Sequence, residues 1–277
     1  MNDGLALSSN RSSIPIVIPN TSEKRALVVI AHADDLLFFC GATVFHLINN
    51  GWTVEVIRVT DDRWDSANLS EEETLLLNKS EFDKAMALLG VSRIHEFGYQ
   101  TDMLGDDSEV ELRQKVMAII RLFKPYLVLS FDPDSYLNED NEDHKLVARS
   151  VTESMWTSGF DKHPDSSSKF LPPHIPIERW YFGRSVAHVT HHLEISPYRE
   201  NLIAALACHK TMLSNICQQF SIQAEFLGYD LNALQDLLNR NPSDFVSLLL
   251  QERTHDDLRI VKSAKLVNLI GSYGVKK

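Results

Sequence analysis

The sequence predicts an α/β protein: a mostly parallel, Rossmann-like sheet with helices on both faces, followed by a mainly helical C-terminal extension. Three observations point there. Two short apolar runs, Ala26–Ile30 and Tyr126–Phe131, are bounded by charge and read as buried parallel strands. Strand-like and helix-like segments alternate through roughly the first 160 residues, the β-α-β rhythm of a parallel sheet. Each apolar run leads into a cluster of His and carboxylates, Ile30-Ala31-His32-Ala33-Asp34-Asp35 and Asp140-Asn141-Glu142-Asp143-His144. The C-terminal ends of strands are where open α/β sheets hold their ligands.

The elements follow in order. Residues 1–22 contain the apolar patch Ile14-Pro15-Ile16-Val17-Ile18-Pro19, and its two prolines make a poor signal peptide. They read as an extended arm that covers a sheet edge. An α/β catalytic domain over 23–195 comes next. Ala26–Ile30 is its first strand, and Leu36 to Asn50 is a helix closed by Asn50-Gly51. Thr53–Thr60 alternates as a second strand. Ser70-Glu71-Glu72-Glu73 is a helix start, running to Leu89 and stopped by Gly90. Ser92–Phe97 is a short strand, and Asp107–Phe123 is a helix halted before Pro125. The Tyr126 strand and a helix from near Asp143 complete the repetition. Asp161–Pro176 is an exposed loop. Arg179–Gly183 and Ala187–Thr190 are short strands, and residues 196–277 are a mainly helical part packed on the same domain.

The bulk composition narrows the function classes. The 277 residues are 44% hydrophobic and 23% charged, as in globular proteins. A formal net charge of −11 argues against nucleic acid or an anionic membrane as the main partner. No stretch reaches the ~18 apolar residues of a membrane span. Cys40, Cys208 and Cys217 form no CxxC and no even-numbered framework, which fits a reducing cytoplasm and core roles for all three. There is no GxSxG, no phosphate-binding Gly-Lys loop and no GxGxxG.

What remains is the pair of His/Asp clusters. Two His and one carboxylate form a known catalytic zinc set with water in the fourth position. His32 and Asp35 are three apart on a turn entering a helix, so both can face one point, and His144 sits at an equivalent strand end. Asp34 would face another side and could accept a proton from water. Asp143 could orient an imidazole, although a helix N-cap is its plainer role. Each cluster alone is equally compatible with a polar capping loop; their pairing gives the metal reading its weight. His191, His192 and His209 read as structural.

At these residues the chain resembles the LmbE-like, or PIG-L, family of zinc-dependent N-deacetylases. Ala31-His32-Ala33-Asp34-Asp35 is similar to the family's Ala-His-Pro-Asp-Asp, and Asn141-Glu142-Asp143-His144 to its His-x-Asp-His. Glu81 to Val91 and Phe97 to Asp102 resemble the helix end and loop between those motifs. The resemblance implies Zn2+ on His32, Asp35 and His144, and Asp34 as general base. It implies a small-molecule partner, an N-acylated amino sugar or conjugate. Four positions depart from the pattern: Ala33 for Pro, Leu36 for Glu, Asn78 for Arg, and Asn141 for the His that helps hold the oxyanion. Asn141, or Tyr136 in the preceding loop, would then supply the oxyanion donor.

The resulting expectation is a cytoplasmic zinc-dependent amide hydrolase that uses Asp34, Asn141, Asp143 and Tyr136 around the metal. It binds no nucleic acid, does not insert into membranes and leaves room for a homo-oligomer. The rivals are a metal- or sugar-binding protein of the same fold with weakened catalysis, and a metal-assisted transferase or deaminase.

Overall fold

The computed structural model describes residues 13–106, 109–135, 139–167 and 171–262. An eight-stranded sheet organises them, in the order β1-β7-β8-β6-β5-β2-β3-β4. The strands are β1 (Ile14–Pro15), β2 (Arg25–Ile30), β3 (Thr53–Thr60), β4 (Arg93–Tyr99), β5 (Leu127–Phe131), β6 (Glu178–Phe182), β7 (His191–Glu194) and β8 (His255–Lys262). The helices are α1 (Asp35–Phe39), α2 (Gly41–Asn49), α3 (Glu71–Leu89), α4 (Glu109–Phe123), α5 (Glu142–Thr157), α6 (Arg199–Leu206), α7 (Lys210–Phe226), α8 (Asn232–Arg240) and α9 (Pro242–Leu249). They cover both faces of the sheet.

β2 through β6 are mutually parallel. Ala26 to Ile30 and all of β5 are buried, which explains their uninterrupted apolar sequences. From β2 the chain winds outward through β3 and β4, then returns to place β5 on β2's other side. The strand order therefore reverses at the β2/β5 boundary, where crossovers leave a crevice at the C-terminal strand ends. Both His/Asp clusters emerge there.

Local signals set several boundaries. Ser70 and Glu73 form a reciprocal capping box at the start of α3, and Gly90 ends it at φ +87°. Such a cap contributes about 1 kcal/mol. The arm adds an edge strand, with Ile14 and Pro15 pairing in parallel with His191 and His192.

Three expectations are corrected. The single helix over Leu36–Asn50 is two helices separated at Cys40, whose φ of −144° is not helical. The second is anchored from afar: buried Asp256 accepts the Thr43 N–H at 2.7 Å and its hydroxyl at 2.9 Å, an anion at a helix N-terminus. The strand expected at Ala187–Thr190 lies at His191–Glu194, because β8 offers it partners there. Residues 255–262 form a strand that the polar start His255-Asp256-Asp257 concealed, and it runs antiparallel between β6 and β7. Arg259 on β8 pairs with Asp132 just beyond β5, so this late strand braces the end of the sheet that bears the site.

Cys40 and Cys217 are buried and all three cysteines are free. His209 is buried at the start of α7, where burial, with Arg58 nearby, pushes its imidazole down to about 4. Among the described residues, no helix is long and apolar enough to cross a membrane.

Candidate metal centre

β2 ends at Ile30, and the next five residues turn sharply into α1. His32 and Asp35 sit at the two ends of this turn, both buried. Asp35 closes it locally: its Oδ2 accepts the His32 backbone N–H at 2.6 Å. His144 comes from the first turn of α5, whose N-cap is Asn141 rather than Asp143. Two imidazole nitrogens and both oxygens of one carboxylate converge. His144 Nε2 lies 3.1 Å from Asp35 Oδ1 and 3.2 Å from His32 Nδ1, and His32 Nδ1 lies 3.5 Å from Asp35 Oδ2. Ligands about 2.0–2.2 Å from a tetrahedral ion stand roughly 3.3–3.6 Å apart, so a single ion fits among them. Two imidazoles and one carboxylate suit zinc chemistry. It is the only such group of three or more His, Cys, Asp or Glu among the described residues.

The second nitrogen of each imidazole faces a carboxylate. His32 Nε2 lies 3.3 Å from Asp143 Oδ2, which also accepts the Asp102 N–H at 2.8 Å. His144 Nδ1 lies 3.1 Å from Glu139 Oε2. Carboxylates behind metal-ligating imidazoles fix the tautomer and raise ligand basicity. Phe131 stacks on the His144 ring with centroids 4.1 Å apart and planes 18° from parallel, so the last residue of β5 sets the ring's orientation.

The charges respond to this crowding. Burial alone would lower both histidines, but the carboxylates outweigh it. His144 is raised to about 9, chiefly by Asp35 and Glu139, and His32 is raised well above its usual value by Asp35 and Asp143. Burial would raise Asp35, but His144 and His32 hold its carboxyl well below the usual range. Asp34 differs: burial and the Asp35 charge push its carboxyl up to about 7.

A cleft of about 580 Å³ opens on the centre. His32, Asp34, Asp35, Asn141 and His144 line its floor. Asp65, Asp102 and Arg184 line its polar sides, and Phe38, Phe39, Ile216 and Phe220 its apolar ones. Its size suits a small-molecule ligand. Asn141 Oδ1 accepts the His144 N–H at 3.2 Å, so its carbonyl serves as the helix cap and its amide NH2 remains the donor. Asn78, standing where the resembled family has Arg, is buried away from the cleft. It donates to the Asp62 and Asp65 carbonyls at 2.9 and 3.1 Å, holding the loop after β3.

His32, Asp34, Asp35, Asn141, Asp143 and His144 are thus brought together, while Tyr136 lies outside the described residues. Sequence reading did not find Glu139, Phe131 or the α7 wall. Glu139 lies within an acidic run where nothing singles it out, Phe131 reads only as a strand residue, and Ile216 and Phe220 read as an amphipathic helix.

Residues 27–155 match the family model PIG-L, described as GlcNAc-PI de-N-acetylase. The chain is 22% identical over 171 residues to a probable N-acetyl-alpha-D-glucosaminyl L-malate deacetylase 2 of Bacillus anthracis, covering 57% of this chain and 74% of that one. The N,N'-diacetylchitobiose deacetylase of Pyrococcus horikoshii superposes with a TM-score of 0.67 at 19% identity, over 88% of this chain and 85% of its own. A 4-carboxy-2-hydroxymuconate hydratase of Pseudomonas putida superposes with a TM-score of 0.56 at 17% identity, over 86% and 96%. At these identities the two structures establish a shared fold, and that fold carries more than one reaction.

Proposed function

We propose that this chain, whose residues 27–155 match the PIG-L family model, is a zinc-dependent N-deacetylase acting on N-acetylglucosamine-type conjugates. The observation that carries this reading is Asp34. It borders the same cleft as the three ligands and stands outside the ligand set. A metal- or sugar-binding site has no use for such a group, whereas hydrolysis needs a general base beside the attacking water.

His32, Asp35 and His144 would hold the ion. When bound, zinc supplies Lewis-acid chemistry, polarising the acyl carbonyl and making water a competent nucleophile near neutral pH. Asp34 takes the proton of the attacking water and hands it to the leaving amine as the C–N bond breaks. The Asn141 amide NH2 donates a hydrogen bond to the developing oxyanion. An amide cannot supply a proton, so the acid–base work falls on Asp34 alone. The Bacillus relative, named as a probable deacetylase of an N-acetylglucosaminyl malate, supports this substrate class.

The test combines metal content with turnover. Zinc-loaded protein is incubated with a panel of N-acetylated amino sugars and conjugates, and free amine and acetate are measured. Asp34→Asn should keep its metal and fold while losing about 10²- to 10⁴-fold in turnover. Retained turnover in that variant, or no deacetylation of any substrate by the wild type, would reject the assignment.

A further inference from the structure

The turn carrying His32 and Asp35 has two backbone N–H groups to place. Asp35 itself takes that of His32. That of Ala33 is taken from outside the turn, by Asp62 Oδ2 at 3.1 Å. Asp62 lies just beyond β3, the strand beside β2, and is only 2% exposed. The same Oδ2 accepts from the Arg58 guanidinium at 2.8 Å, and Arg58 Nε donates to Glu96 on β4 at 2.8 Å. Arg58 also packs over the Phe82 ring at 4.9 Å, which fixes the guanidinium between α3 and the sheet.

Asp62 is itself held on every side. Its N–H donates to Thr101 Oγ1 at 2.7 Å, and its C=O accepts from Asn78 at 2.9 Å. Its φ is +56°, in the left-handed region where Asp is among the better-tolerated side chains after Gly. A buried acid at positive φ is a costly choice for holding a loop. Buried ion pairs bring little net stability over apolar replacements. What Asp62 adds is direction: a fixed acceptor, backed by a fixed cation, aimed at one N–H of the ligand turn.

That N–H exists because residue 33 is Ala. A proline there would fix φ through its ring and carry no donor. We propose that Asp62, backed by Arg58, is the positioning residue of the metal centre, holding the His32–Asp35 turn through the Ala33 N–H in place of a proline's ring. The proposal rests on His32 and Asp35 being metal ligands.

A double-mutant cycle tests it, with zinc affinity read by chelator competition and the metal-free fold checked by thermal melting. Asp62→Ala should weaken zinc binding by about 10- to 100-fold, the usual effect of losing a group that orients metal ligands. Ala33→Pro replaces one restraint by the other and should stay within about threefold of wild type, a small change beside that range. In the Ala33→Pro background Asp62→Ala should then cost less than about threefold, because the N–H that it serves is gone. Should Asp62→Ala not fold, Asp62→Gly carries the cycle. Glycine adopts the positive φ of this position without strain and, like alanine, offers no acceptor to the Ala33 N–H. It too should weaken zinc when Ala33 is present and not in the Ala33→Pro background. Equal losses in the two backgrounds, or unchanged zinc affinity in a folded Asp62 variant, would overturn the proposal. A wild type that binds no zinc at all would instead overturn the metal assignment.

Discussion

The two segments that meet at the candidate metal centre are held by opposite strategies. The 32–35 turn is restrained through its backbone, with Asp35 on one N–H and Asp62 on the next. The 139–144 segment is restrained through its side chain, with Phe131 against one face of the His144 ring and Glu139 at Nδ1. The difference follows from what each segment is. A tight turn leaving a strand has unpaired N–H groups that must be satisfied. A helix start needs only its cap, here the Asn141 carbonyl at the His144 N–H, and leaves a long side chain to be aimed. Asp143 is the bridge: it emerges beside His144 but braces His32 and the Asp102 N–H.

The largest expected effect on zinc affinity therefore comes from breaking that bridge. Asp143→Ala removes the brace of one segment from within the other, and zinc affinity should fall toward 100-fold. A change below about threefold in chelator competition would mean that the segments are independent.

Asn141→Ala acts next, on turnover rather than affinity. Losing one oxyanion-hole donor typically costs about 2.7–4 kcal/mol. In the proposed mechanism zinc would stabilise the same charge, so a loss of some tens of fold in turnover is expected, with about 1 kcal/mol of stability lost from the cap. Asn141→His should not raise turnover on simple N-acetyl sugars. A large gain would show a weakened copy of the resembled site rather than a reshaped one.

Glu139→Gln should be milder, about tenfold in zinc affinity, because Phe131 still holds the ring. It also sharpens the pH behaviour. His144 is lowered by burial but raised to about 9 by Asp35 and Glu139, against 6.5 for the free side chain. A raised imidazole stabilises the chelator-stripped protein fully below about pH 6.5, and that stability is lost as pH rises through about 9. Stripped wild type should melt at progressively lower temperature across this window, and Glu139→Gln should narrow it. Zinc affinity should climb over the same range, since the ligand must be neutral. A flat melting profile for the stripped wild type would remove the role assigned to Glu139.

Much of this was legible in the sequence, and for identifiable reasons. Ala26–Ile30 and Leu127–Phe131 are buried on both sides, so their strands are written as unbroken apolar runs, and the parallel sheet follows from their spacing among helices. His32, Asp35 and His144 stand out as candidate ligands because metal ligation tolerates few residue types and strand ends are where they can meet. The tertiary structure alone decided what supports them. Asp62, Glu139 and Phe131 act through distance and direction, and an aspartate that receives an N–H from another strand is spelled like any surface aspartate. The break at Cys40 and the strand at His255–Lys262 were hidden for the same reason. Asp256 caps a helix more than two hundred residues away in sequence, and β8 exists because β6 and β7 leave a gap that it fills. Local sequence fixes what a segment can form; partners distant in the chain select which of those forms is used.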